Sequence, residues 1–250
     1  MSGGSLNGRI GVMTPPALLL DKEYWTWAPP DYSIFFTRMD SVDGAMDPAR
    51  ARGKSEPEMV RTASEQLKTL DPDAVLFACT IASFIRGVEG EAALRKVIED
   101  ITGGIATTTS GALVHALSAL GVSRIAVATP YSEELTDMLG AFLGESGFEV
   151  VSSAHIGMGD PRAPAYLDDD EVCALAKRAD CDAAEAVFLS CTNLPTAGVI
   201  GRLENDLGKP VCSANQVGIW STLERLGAAG RVGSATSQTL FRTSLAAAAE

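Results

Sequence analysis

The chain has 250 residues, of which 46% are hydrophobic and 21% charged, and a formal net charge of −12. That length allows one large domain or two small ones around a substantial core, and the acidic balance repels phosphate backbones and anionic lipid, which argues against nucleic acid or membrane as a partner. No apolar run approaches the ~18–20 residues of a spanning helix, and the five cysteines are an odd, scattered set with no metal-ligand spacing in a chain whose start lacks a secretory apolar core, so free thiols in a reducing cytoplasm are expected.

Taken in chain order, a short apolar run over residues 9–13 reads as a buried strand and leads into Thr14, Pro15 and Pro16. Tyr24, Trp25 and Trp27 follow, a core or subunit contact before a lid. A strand over 33–37, a helix over 58–70 and a strand over 74–78 come next, the last running into Cys79, Thr80 and Ile81. A helix over 91–101 ends at Gly103-Gly104, which reads as a turn because the strand context of a dinucleotide fingerprint is missing. Hydroxyl-rich 107–110 precedes a helix over 111–120, in which His115 has a structural role.

The pattern then starts again. A strand over 124–128 leads to Thr129 and Tyr131, a helix covers 133–146, and a strand over 149–152 precedes His155. The acidic run at 168–171 marks the start of a helix over 169–179, where carboxylates favour the dipole, and not a metal site; Cys173 is core and Cys181 a loop thiol. A strand over 186–190 runs into Cys191, Thr192 and Asn193, Cys212 lies on a short strand over 210–213, a helix covers 218–226 and a last strand 231–233. Strands alternating with helices give an α/β fold with parallel sheets.

A weak duplication organises these elements. Arg9-Ile-Gly-Val-Met-Thr-Pro15 matches Arg124-Ile-Ala-Val-Ala-Thr-Pro130 at five of seven positions, 115 residues on, and Ala74-Val-Leu-Phe-Ala-Cys79-Thr80 matches Ala186-Val-Phe-Leu-Ser-Cys191-Thr192, 112 residues on. Two matches in one order at nearly one shift imply two related halves, divided near Gly121 into lobes of residues 1–120 and 121–250. In each half a strand ends in Cys-Thr at the sheet's carboxyl edge, where open α/β folds bind ligands. Two halves packed about a pseudo-two-fold axis bring Cys79 and Cys191 to one cleft from opposite sides. Cysteine serves as nucleophile or as acid/base, and helix N-termini in 80–87 and 192–199 are expected to favour thiolates. Charge gathering on the substrate's carboxylate calls for fixed donors: Thr80, Thr192, Thr129, Tyr131, the hydroxyls of 107–110 and the Asn193 amide.

These residues resemble the aspartate/glutamate racemase superfamily, and within it the maleate cis-trans isomerase and arylmalonate decarboxylase branch. The resemblance rests on Gly11-Val-Met-Thr-Pro15, Cys79-Thr80, Ser110-Gly111-Ala112, Ala128-Thr-Pro-Tyr131 and Ser190-Cys191-Thr-Asn193. It implies two Rossmann-like lobes with the active site between them, no cofactor and no metal, and a small carboxylic acid as substrate, with a homo-oligomer compatible with it. Carried over to this chain, it implies Cys79 as nucleophile on an alkene, Cys191 as acid/base and Tyr131 as a carboxylate holder, with Pro15, Pro16, Thr80, Ile81, Thr129, Thr192 and Asn193 around the substrate. Maleate isomerases carry an asparagine after the first strand, where this chain has Thr14-Pro-Pro-Ala-Leu18. That segment, with Ser83-Phe84 and Arg86-Gly87, looks like the decarboxylases, which nevertheless carry glycine in place of Cys79. The expected activity is maleate-type isomerisation; the rivals are racemisation or decarboxylation of an acid with an apolar substituent, and binding of a small acid without chemistry.

Overall fold

The computed structural model describes residues 8–40, 46–231 and 238–247. The first half runs β1 (Gly8–Thr14), α1 (Asp21–Trp27), β2 (Tyr32–Arg38), α2 (Pro48–Lys54), α3 (Pro57–Lys68), β3 (Ala74–Phe77), α4 (Thr80–Phe84), α5 (Gly87–Thr102), β4 (Ile105–Thr108) and α6 (Thr109–Leu120). The second runs β5 (Arg124–Thr129), α7 (Glu133–Glu145), β6 (Glu149–His155), α8 (Asp169–Ala179), β7 (Ala186–Leu189), α9 (Ile200–Leu207), β8 (Val211–Ser213), α10 (Ala214–Arg225) and α11 (Thr239–Ala247). Two four-stranded parallel sheets result, ordered β2-β1-β3-β4 and β6-β5-β7-β8. The fold is α/β.

The duplication extends to register. Ile10 pairs with Ala74 across β1 and β3, and Ile125 pairs with Ala186 across β5 and β7. At the amino edge Arg9 N donates to Asp73 Oδ2 at 2.7 Å, and Arg124 N donates to Glu185 Oε2 at 3.0 Å. At the carboxyl edge Ala78 N donates to Met13 O and Ser190 N to Ala128 O, both at 2.8 Å. Thr108 ends β4 and caps α6 by accepting from Gly111 N, and Ser213 ends β8 and caps α10 by accepting from Gln216 N. Strands β3 and β7 are buried at every position, as parallel strands covered on both faces must be. Both sheets therefore present their carboxyl edges with the same geometry.

The two sheets fall on either side of Gly121, which ends α6 in the left-handed region at φ 67°. Packing crosses that point. Helix α10, from the second half, lies against α6, β3 and β4 of the first, and Gly218 allows the approach, since a Cβ there would stand 3.1 Å from Leu76 Cδ2. The main apolar core runs through both halves, from Ile10 and Leu76 to Phe188 and Trp220. A second cluster, with Met13, Leu67, Phe77 and Ile98, fills the other face of the first sheet. No described helix is long and apolar enough to cross a membrane.

Several readings of the sequence need amendment. Strand β4 and helix α1 were not expected, the first because Ile-Ala-Thr-Thr is too short and polar to stand out, the second because its seven residues give barely two turns of periodicity. His155 closes strand β6 instead of following a strand. The segment 192–199 is a series of turns, with helix starting only at Ile200; Pro195 and bonds to a distant carboxylate, described below, hold it open. In the expected strand 231–233, Arg231 closes a short 3-10 turn (Ala229–Arg231) and the rest lies outside the described residues.

Candidate active site

Each cysteine sits one residue beyond the last bond of its strand. Cys79 is extended, with φ −145° and ψ 101°, and caps α4. Behind it, Ser83 Oγ donates to Thr80 O at 2.8 Å and lies 2.6 Å from Ser110 Oγ, which itself reaches Thr80 O at 3.2 Å. This hydroxyl cluster pins the first turn of α4 to the start of α6. Cys191 instead has φ 103°, a left-handed value that costs a non-glycine residue about 1–3 kcal/mol.

That conformation is imposed from a distance. Glu23, buried on α1, accepts from Thr196 N at 2.5 Å and Ala197 N at 2.7 Å through Oε1, and from Asn215 Nδ2 at 2.7 Å through Oε2. Asn215 Nδ2 also donates to Thr192 O at 3.0 Å, and its Oδ1 accepts from Tyr24 Oη at 2.7 Å. Burial holds the Glu23 carboxyl above its usual pKa, against the four hydrogen bonds that favour its charge. Asn193 clamps three loops: its Oδ1 accepts from Leu19 N at 2.9 Å, and its Nδ2 donates to Ala17 O at 2.7 Å and Pro161 O at 2.9 Å.

Both cysteines line one cavity of about 50 Å³, several times the ~10–15 Å³ a single water requires. Thr80, Ile81, Tyr131, Thr192, Asn193 and Pro15 line it too, together with Ala17 and Pro161. Tyr131, fully buried, lies against Cys191, and its Oη accepts from Ser190 Oγ at 3.3 Å. Thr80 Oγ1 is buried near the Tyr131 hydroxyl but meets no hydrogen-bond partner of proper geometry among the described residues.

Several expected contributors stand elsewhere. Pro16 is outside the lining; its carbonyl accepts from Arg38 Nη1 at 2.8 Å, part of a guanidinium grip that also reaches Leu18 O. Thr129 is buried below the cavity, its hydroxyl 2.7 Å from that of Thr136 and accepting from Tyr131 N. It therefore positions Tyr131 and does not face a ligand. Asn193 reaches the cavity, but both its amide hydrogens are engaged. Of the hydroxyls at 107–110, Thr108 donates to Glu91 Oε1 and Thr109 to Phe77 O, and none lines the cavity. Cys212 is buried on β8, also away from it.

The wall that sequence reading missed is α2 with the residues before it: Met46, Asp47, Arg50, Ala51 and Lys54. Asp47 caps the helix, its Oδ1 accepting from Arg50 N at 2.8 Å, with Pro48 in the first turn. This Asp-Pro start was a legible helix signal, but nothing local to Met-Asp-Pro-Ala-Arg-Ala-Arg-Gly-Lys says that its cations face the strand ends.

Burial dominates the thiols. Cys79 lies above the usual thiol range, eased downward by Lys54, by the Ala82 N–H and by Arg50. Cys191 is pushed up to about 11, against the Asn193 N–H and the Tyr131 hydroxyl, with Cys79 raising it further. The expected lowering toward thiolates is not what the site favours: burial raises both sulfurs, since one short turn of helix does not offset desolvation. Their environments differ in order: the largest relief at Cys79 comes from the Lys54 cation, while at Cys191 the Asn193 N–H and the Tyr131 hydroxyl come first and Lys54 contributes least.

A model of the arylmalonate decarboxylase family matches residues 53–240, which include both cysteines. The chain belongs to that family. Among curated relatives, an arylmalonate decarboxylase of Bordetella bronchiseptica is 28% identical over 87% of this chain and 90% of its own. A maleate isomerase of Alcaligenes faecalis is 28% identical over 71% of this chain and 78% of its own. Among solved structures, an arylmalonate decarboxylase superposes at TM-score 0.78 with 27% identity over 94% of this chain and 99% of that one. A Nocardia farcinica maleate cis-trans isomerase mutant carrying a covalently bound succinylcysteine intermediate superposes at TM-score 0.85 with 23% identity over 94% and 98%, a likeness of fold. Family and fold thus agree with the register-matched strand ends.

Proposed function

We propose that this member of the arylmalonate decarboxylase family is a cofactor-independent isomerase of the maleate cis-trans type, with Cys79 as nucleophile and Cys191 as acid/base. The observation that carries the reading is the pair of repeat-equivalent thiols lining one cavity. Decarboxylation needs a proton donor on one face only; isomerisation through a covalent adduct needs a nucleophile and a separate proton carrier.

The step begins when the Cys79 thiol gives its proton to solvent, a loss that burial opposes and the Lys54 cation favours; the thiolate sulfur then adds to one alkene carbon while the other carbon takes the proton of Cys191. A succinyl thioether results, of the kind carried by the Nocardia farcinica isomerase mutant. The former double bond, now single, rotates. Cys191 thiolate then removes a proton from the carbon it protonated, the carbon–sulfur bond breaks, and the trans diacid leaves with Cys79 again a thiolate. The carboxylate beside the reacting carbon gathers negative charge during addition, and Tyr131 and the unpartnered Thr80 hydroxyl supply donors for it. Five unbridged cysteines support a reducing compartment such as the cytoplasm.

The proline-walled first loop favours a second reading, decarboxylation or racemisation of an acid with an apolar group. Proton NMR in deuterated buffer separates them. Maleate converting to fumarate is the expected outcome; α-deuteration of a saturated acid or release of CO₂ from phenylmalonate, without maleate turnover, transfers the function to the second reading.

A further inference from the structure

A diacid brings two carboxylates, and the strand ends account for one. The hydroxyls of Tyr131 and Thr80 lie beside the sulfurs and serve the carboxylate next to the reacting carbon. For the other, Pro15 and Pro161 have no N–H and the Asn193 amide donates to Ala17 O and Pro161 O, so the loop walls offer the neutral Thr192 and no charged group. The remaining wall is α2, which lines the cavity with two cations, Arg50 and Lys54, and one anion, Asp47. Asp47 accepts from its own helix, and Asp160, paired with Arg162 at 2.9 Å, also feels the charge of Arg50. No carboxylate among the described residues lies within ion-pair distance of Lys54.

Helix α2 is also held in place. Arg86 grips its end, Nε donating to Ser55 Oγ at 2.6 Å and Nη2 to Arg52 O at 3.1 Å, while Met46 N donates to Gly159 O at 3.0 Å at its start and Ala51 is buried in the main core. In a chain of net charge −12, a cationic wall at the cavity is a local reversal of the molecule's own field. A fixed lysine facing a cavity is a carboxylate anchor.

We infer that α2, through Lys54, binds the substrate's second carboxylate and selects dianionic acids over acids bearing an apolar or neutral group at that position. The inference rests on the small-acid reading of the cavity and names which class of acid enters it.

Succinate and its monoamide, two unreactive acids of the same shape that differ by one charge, test it as ligands. Each is titrated against the alkylation of Cys79 by neutral iodoacetamide, read by peptide mass, so that the protection constant measures binding without turnover. In the wild-type protein succinate protects about tenfold better than its monoamide, the order expected of one charge-assisted contact. Lys54→Met removes that preference by weakening succinate while leaving the monoamide within about threefold, and Lys54→Arg restores most of it. Equal protection by the two acids in the wild type, or a preference that survives Lys54→Met, overturns the inference. Maleate turnover is measured on the same wild-type sample. Its absence, with the Lys54-dependent preference intact, removes the isomerase reading and leaves the dianion site standing.

Discussion

After β3 the chain passes through Cys79 in an extended conformation and coils at once into α4, whereas after β7 Cys191 takes φ 103° and the next helix waits until Ile200. Strand register, edge bonds and the Cys-Thr pair are the same in both halves. What differs is the support. The first cysteine is backed by hydroxyls within its own half, Ser83 and Ser110, and the second by Glu23, 173 residues before the Thr196 amide it holds. A duplicated scaffold thus presents two thiols at matching posts in unlike surroundings: Lys54 gives the largest relief at Cys79, while amide and phenol donors lead at Cys191, which burial pushes up to about 11; the proposed roles rest on that difference.

The sharpest way to break this comparison is to remove each sulfur. Cys79→Ser and Cys191→Ser each lower maleate turnover by more than about a thousandfold, as loss of a nucleophile or its acid/base partner does. They fail differently: Cys191→Ser, treated with maleate and quenched, retains the mass of one maleic acid on Cys79, and Cys79→Ser retains none. Adducts in both or in neither contradict the division of roles.

Glu23→Ala acts on one turn only. It leaves the Thr196 and Ala197 amides and the Asn215 side chain without their shared acceptor, and unfolding in urea shows a loss of about 2–4 kcal/mol. Turnover falls at least about tenfold because a shift of the Cys191 turn misplaces the acid. Alkylation of Cys191 quickens while that of Cys79 stays within about threefold. Equal changes at both cysteines would mean that the two turns are supported in common.

The smallest effect isolates the backbone. At Cys191 the glycine variant is more stable than the alanine variant by about 1 kcal/mol, because only glycine adopts φ 103° freely. At Cys79, with φ −145°, alanine meets no backbone strain, so the gap is smaller and reflects only the N-cap preference for glycine. Chemical denaturation of the four variants reads both differences, and a matching gap at the two sites would remove the strain from Cys191.

How far the sequence reached follows the range of the forces involved. The strands that carry the cysteines were legible because a buried parallel strand is a local apolar run ended by turn residues, and their equivalence survived as four identities in seven. The capping box at Asp168 and Glu171 was legible for the same reason: its partners are three residues apart. Asn193 and Thr129 were placed near the site by neighbourhood in sequence, yet the directions of their donors depend on Ala17, Pro161 and Thr136. Helix α2 left no mark of its role, because a basic stretch reads alike whether its cations face water or a cavity.

By itself, then, the sequence determined the α/β order, the duplicated strand ends and the residue types that meet there, since each follows from short-range pattern. Only the tertiary structure decided which hydroxyls face the cavity, that burial raises both thiols, that Lys54 lines the cavity and that Glu23 holds the turn after Cys191. Those are consequences of desolvation and of hydrogen bonds between segments far apart in the chain, and neither has a signature in the order of neighbouring residues.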